Sequence, residues 1–178
     1  MHLKNYRQLV ERVDSLCNGV AKALVEQITC QEGCSACCTS ITVFPVEAAA
    51  LKAALCSLSA EEANFVITFV TEHADGERCP LLYNHRCLLY AARPIICRTH
   101  GFPIQYTEND QQLVDCCPLN LEQCESLPGS VVIDLDRLNS VLVAVNALFL
   151  SQSETKYDLP DRLTIAEALL ASDSAQPA

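Results

Sequence analysis

Glycine is scarce in this chain of 178 residues, with five in all. None falls in a G-x-G-x-x-G or P-loop pattern, so the turns that bring backbone close to a nucleotide phosphate are missing. Positive charge is scarce too. Twelve Lys and Arg against 22 Asp and Glu give a formal net charge of -10, which opposes a phosphate backbone and argues against nucleic acid as a partner. Long apolar runs are also lacking. The most apolar stretch, Val141 to Leu150, contains Asn146, is flanked by Asp136, Arg137 and Glu154, and is too short to cross a bilayer, so no membrane span is expected. The opening MHLKNYRQLVERVD carries charges throughout and has no apolar signal core, which predicts a cytoplasmic protein.

Half of the residues are apolar and 19% are charged, which predicts one globular domain over 1–178. Leu3, Val10, Cys17 and Leu24 recur every seven positions with Tyr6, Val13 and Val20 between them, so 3–28 reads as an amphipathic helix. A short extended stretch, Ile41 to Phe44, precedes a helix that opens on Pro45 and runs to Leu55. Ser59-Ala-Glu-Glu62 is a capping box for a further helix to about His73. From Asp75 to Asn120 the helical period disappears into loop and a small hairpin, with Phe102–Thr107 pairing Gln112–Asp115 across Asn109-Asp110. A short helix carrying Cys124 is expected after Pro118 and Asn120. Asp134 is the expected N-cap of a long helix through Phe149, apolar on nearly every face and so central to the core, and a last helix lies around Ala166 to Leu170. The tail Ser172 to Ala178 is expected to fray. The fold class is therefore mainly α, with helices at both ends, over 3–28 and 134–170. Between them, over about 30–124, lies an irregular cysteine-bearing middle with a short β-hairpin.

Twelve cysteines fill that frame. In a cytoplasmic chain long enough to bury its own core, such thiols read as metal-binding or catalytic rather than as disulfides. Cys17 on the helix stripe and the isolated Cys56 read as buried packing residues, leaving ten thiols, more than the four that one tetrahedral zinc or one cubane cluster needs. Cys34 and Cys37 have the two-residue spacing that lets two sulfurs converge on one ion. The adjacent side chains of Cys37 and Cys38 are expected to diverge, by about 100° if helical and more if extended, so ligation by both implies two nearby metals or one multinuclear cluster. Arg78, Arg86, Arg93 and Arg98 lie among the cysteines, where guanidinium groups can offset thiolate charge by hydrogen bonding to sulfur. The alternative is an ordinary solvated cationic face. Pro94 biases Arg93 to an extended conformation and bends the chain between Cys87 and Cys97. Tyr90 is expected to cover the site, and His100, ahead of His85, to stand beside it as a hydrogen-bonding neighbour or ligand.

The string Gly33-Cys34-Ser-Ala-Cys37-Cys38, followed by Cys79-Pro80-Leu-Leu82 and then Cys87-Leu-Leu-Tyr90-Ala-Ala-Arg93-Pro94-Ile-Ile-Cys97-Arg98, resembles the YkgJ-type cysteine-cluster family. That family is known as CxxCxxCC, a zinc- or iron-chelating domain. The resemblance covers about Cys30 to Cys124, with one residue more between Cys30 and Cys34 than the family name has. It implies as metal ligands Cys30, Cys34, Cys37, Cys38, Cys79, Cys87, Cys97 and one or more of Cys116, Cys117 and Cys124. It also implies zinc or an iron–sulfur cluster as cofactor, in one centre or two, with metal ions as the partners. Three functions follow: a metal-cluster protein, a redox or methylase-like protein-modifying iron–sulfur enzyme, or a chelator and donor of metal. The absence of an S-adenosylmethionine or paired-acid signature weighs against the methylase-like reading, so electron transfer or redox sensing is the better catalytic alternative.

Overall fold

The computed structural model describes residues 3–30, 33–121, 126–152 and 160–171. Helix α1 (Lys4–Ala23) buries Tyr6, Leu9, Val13, Cys17 and Val20 along one stripe, as the seven-residue recurrence requires. It ends sooner than expected, because the Leu24 carbonyl accepts from both Gln27 and Ile28, and the Thr29 N–H goes instead to the Asn120 side chain. Strand β1 (Thr42–Val43) leads into α2 (Pro45–Leu55), whose Pro stands at the first helical position, where its missing N–H costs nothing. Helix α3 (Ala60–Glu72) starts on the Ser59–Glu62 capping box.

The middle is more ordered than its sequence suggests. It holds β2 (Leu82–Tyr83) and β3 (Arg86–Cys87), a short helix α4 (Ile95–Thr99), and the expected hairpin of β4 (Ile104–Glu108) and β5 (Gln111–Asp115). Asn84 and His85 both take positive φ, 45° and 62°, so the β2–β3 turn is of the primed kind that matches strand twist. The hairpin docks on α3 through Tyr83, whose ring meets Phe65 and Phe69 edge-on at 5.2 and 5.3 Å. Strand β6 (Ile133–Asp134) runs parallel to β4 and passes into α5 (Leu135–Ser151), capped by the Asp134 carboxylate. Strand β7 (Leu163–Thr164) pairs antiparallel with β1, and Thr164 caps α6 (Ile165–Leu170).

Two apolar clusters result. One gathers α1, Val46, Ile95, Ile133 and Leu142, and the other gathers Val43, Leu51, Val66, Val70, Leu81, Leu89 and α6. The cysteine-bearing middle joins them, with Ile95 in the first and Cys79 and Cys87 packed against the second. Helix α5 is not central. Only Leu142 and Asn146 are buried on it, while Val141, Val143, Leu148 and Leu150 stay exposed, because dividing the core between two clusters leaves α5 flanking only the first. Its buried Asn146 accepts the Val46 N–H at 3.0 Å, anchoring the start of α2. Among the described residues, no helix is long and apolar enough to cross a membrane.

Candidate metal centre

Short backbone ladders bring four distant cysteines together. Thr39 and Arg78 form an antiparallel bridge, the Cys79 N–H donates to the Cys38 carbonyl at 3.1 Å, and the Ser40 N–H donates to the Glu77 carbonyl at 2.8 Å. The chain then turns at Pro80, and β2–β3 pairing sets Cys87 opposite Leu82. Arg93, extended at φ -49°, ψ 136° before Pro94, redirects the backbone into α4, where Cys97 is the third residue. The thiols of Cys38, Cys79, Cys87 and Cys97 consequently interact electrostatically: ionising Cys97 is opposed by burial first and then by Cys79, Cys87 and Cys38, which push its pKa up to about 12.

A second group forms around Asn120. Its side-chain N–H donates to Cys30 Sγ at 3.2 Å and to the Gly101 carbonyl at 2.6 Å, while its Oδ1 accepts from the N–H and hydroxyl of Thr29. Gly101 is needed there, since at φ +95° an added Cβ would stand 2.9 Å from Cys30 Sγ. Cys117 and Cys34 both lie near enough to Cys30 to disfavour its ionisation. Cys116 reaches the Asn120 carbonyl only at 4.0 Å. Cys124 lies outside the described residues. Among the described residues, no three Cys, His, Asp or Glu side chains stand at the mutual distances of a formed metal site.

Cys37, which is exposed, connects the groups. Its side chain lies near enough to favour the Cys38 thiolate. The backbone explains this. Residues 35–39 form a turn, with Cys38 N–H donating to the Ser35 carbonyl and Thr39 N–H to that of Cys37.

Burial raises the pKa of Cys30, Cys37, Cys38, Cys79, Cys87 and Cys97 alike, and burial is the largest cause in each case. Arg78 and Arg98 hold backbone carbonyls rather than the sulfurs that their place in the sequence suggests. Arg98 is buried and holds Asp14 through two 2.8 Å contacts and the carbonyls of Ala91 and Arg93, and Arg78 holds those of Ser35 and Ala36. They brace the cysteine loops, since fixed carbonyls are nearer acceptors than the thiols. Arg78 still favours the Cys38 thiolate through its charge, and Arg93 that of Cys87.

Several residues sit differently from their sequence reading. Tyr90 is 53% exposed and carries the Arg93 guanidinium 3.6 Å over its ring, so it does not roof the site. Cys56 is exposed at the end of α2, where the helix stops before its side chain reaches the core. Cys17 is buried as expected and donates to the Arg98 carbonyl at 3.4 Å. His100 is exposed at the end of α4, whereas His85 reaches the buried Ser35 hydroxyl at 3.0 Å inside the Cys34–Cys37 turn. Asn120 was not legible as a site residue, because a lone Asn after Pro-Leu reads only as a turn former.

The donors are chemically of one kind. Soft thiols, partly buried and pairwise interacting, suit zinc or iron and do not suit hard oxygen-loving cations. Among the described residues, two buried side-chain donors, Tyr6 Oη and Arg93 Nε, have no hydrogen-bond partner. The fold and site together define a multi-thiol metal-chelating protein. The chain belongs to the CxxCxxCC family, described as "Putative zinc- or iron-chelating domain", which matches residues 29–118. No curated protein and no solved structure matches it significantly.

Proposed function

We propose that the chain holds zinc or an iron–sulfur cluster in two adjoining thiol groups, within one cysteine-cluster domain spanning 1–178. The first group is Cys38, Cys79, Cys87 and Cys97. The second is Cys30, Cys34 and Cys117, with Cys37 joining the two and Cys116 and Cys124 as its further candidates. One observation supports this reading: the Cys38 carbonyl accepts from the Cys79 N–H, and the β2–β3 pairing and the Pro94 turn carry Cys87 and Cys97 into the same region. There the four thiols disfavour one another's ionisation, and four is the number a tetrahedral zinc or a cubane cluster takes. Binding draws those sulfurs into ligand distance and displaces their protons, so that ligation contributes to folding.

Single serine substitutions test the assignment. Cys97→Ser and Cys34→Ser in the full chain should each lower the metal retained per chain, while Cys17→Ser and Cys56→Ser should leave it unchanged. Equal retention in all four variants contradicts the proposal.

A further inference from the structure

Helix α1 carries four cations, Lys4, Arg7, Arg12 and Lys22, against Glu11 and Asp14, so it is basic in a chain whose net charge is -10. One of its faces meets the start of α5 along an open groove of about 290 Å³. The buried Leu9, Val13 and Ile133 form the floor, and Leu16 and Val141, 44% and 42% exposed, form the lips. Leu9, Arg12, Val13 and Leu16 stand at i, i+3, i+4 and i+7, the spacing by which one helix presents a continuous stripe to another. Two exposed arginines flank this strip, Arg12 from α1 and Arg137 from α5. Among the described residues neither guanidinium has a hydrogen bond or ion pair, whereas Arg98 holds Asp14 and Arg78 holds the Ser35 and Ala36 carbonyls. The acid that lines the groove, Asp134, is engaged as the cap of α5, accepting from the Arg137 N–H.

We propose that this groove docks an amphipathic helix of a partner protein, whose apolar ridge lies between Leu16 and Val141 and whose flanking Asp or Glu residues pair with Arg12 and Arg137. Charge decides the occupant. Two guanidinium groups without partners, set across an apolar strip, are free to take carboxylates and fix the register of an acidic helix. Beyond about 10 Å the acidic remainder of the chain is screened, so the local sign governs the contact. A second copy of the chain fits less well, because an isologous pair sets each basic groove against another. A flat anionic bilayer cannot follow a floor that lies below its lips, and it meets the exposed Asp134 and Asp136 beside Arg137. Burial of Leu16 and Val141 supplies most of the affinity, and the arginines supply specificity and association rate. Helices α1 and α5 both lie outside the matched segment 29–118, and α1 turns a different face, that of Asp14 and Cys17, toward Arg98 of α4. Docking is therefore independent of the ligand assignment.

The probe is a fluorescein-labelled synthetic helix of about 15 residues, with leucine at i, i+3, i+4 and i+7 and glutamate beside them, titrated with the full chain as purified and read by anisotropy. A control helix keeps the leucines and replaces each glutamate with lysine. Wild type should bind the glutamate helix at least about 10-fold more tightly than the lysine helix, and added salt should narrow the difference. Arg12→Glu combined with Arg137→Glu should reverse the preference, and Leu16→Asp should weaken binding of the glutamate helix by about 10-fold or more. All three positions are exposed, so the variants should melt as wild type does and retain as much metal. Failure to bind the glutamate helix, equal binding of the two helices, or a preference that survives the double substitution overturns the proposal. So does wild-type protein that sediments as a dimer and becomes monomeric with Leu16→Asp, which makes the groove a contact between copies. Binding to phosphatidylglycerol vesicles without binding to the glutamate helix overturns it as well.

Discussion

The side-chain N–H of Asn120 donates to the sulfur of Cys30 at 3.2 Å, across 90 positions of sequence. The same amide binds the Gly101 carbonyl and the Thr29 N–H, so one buried side chain ties the end of the N-terminal arm, the second residue after α4 and the Cys116-Cys117 segment into one wall of the candidate centre. Asn120→Ala leaves a buried carbonyl and N–H unpaired and should destabilise the protein by about 1–3 kcal/mol. Asn120→Asp keeps the Thr29 acceptor but sets a carboxylate against the sulfur, so Cys30 should ionise at higher pH than in wild type. Thiol-alkylation rates against pH in metal-free protein check this, and a Cys30 profile that stays in place speaks against a role for the amide.

Gly101 and Gly129 make a matched pair of substitutions. Gly101→Ala drives a Cβ to 2.9 Å from Cys30 Sγ at φ +95°, whereas an added Cβ at Gly129 meets nothing within 4 Å. Gly101→Ala should cost about 1–3 kcal/mol in a urea melt and weaken metal retention, through backbone strain together with displacement of the sulfur. Gly129→Ala should be neutral in both measurements.

The ion pair between Asp14 and Arg98 fastens α1 to α4 beside Cys97. The Arg98 side chain is 6% exposed and that of Asp14 42%, so water partly compensates the carboxylate but not the guanidinium. Asp14→Ala should therefore cost about 1–3 kcal/mol, more than a surface pair would. The loss should persist at high salt, because a buried contact is poorly screened. Urea midpoints at two ionic strengths decide between this and an ordinary surface pair.

Stability should depend on pH through carboxylates of opposite sign. Hydrogen bonds from Ser59 and Thr164 hold Glu62 and Glu167 below the ordinary carboxylate range. Their contribution is fully present above about pH 4.3 and is lost as the pH falls through the lower folded values. Burial raises Glu47 despite the two N–H groups it accepts, so its contribution runs the other way and is lost as the pH rises from the ordinary value to the raised one. In urea melts between about pH 3 and about pH 7, Glu62→Gln with Glu167→Gln should flatten the acid loss, and Glu47→Gln should flatten the loss at rising pH. An unchanged profile in both variants contradicts these assignments.

Helices with a period and a cap were legible from residues alone. The stripe of α1, Pro45, the Ser59 box and the Asp134 cap all speak locally, as do the Asn109-Asp110 hairpin and the family string from Gly33 to Arg98. What stayed hidden depends on contacts distant in sequence. Helix α4 is five residues long and held by Glu47 and Arg98 rather than by propensity. The exposure of α5 follows from a core divided in two, which an apolar run does not reveal. Arg78 and Arg98 hold backbone carbonyls that lie near them only in the folded chain, and Asn120 carries no local sign of its place beside Cys30.

Metal content measured on the full chain, purified without oxygen and examined together with its visible spectrum, tests the central claim most directly. The account predicts zinc or iron in stoichiometric amount, colourless for zinc and brown with bleaching in air for an iron–sulfur cluster, and a lower melting temperature when a strong chelator removes it. A chain that carries no zinc or iron, or that melts at the same temperature with and without the chelator, contradicts the account.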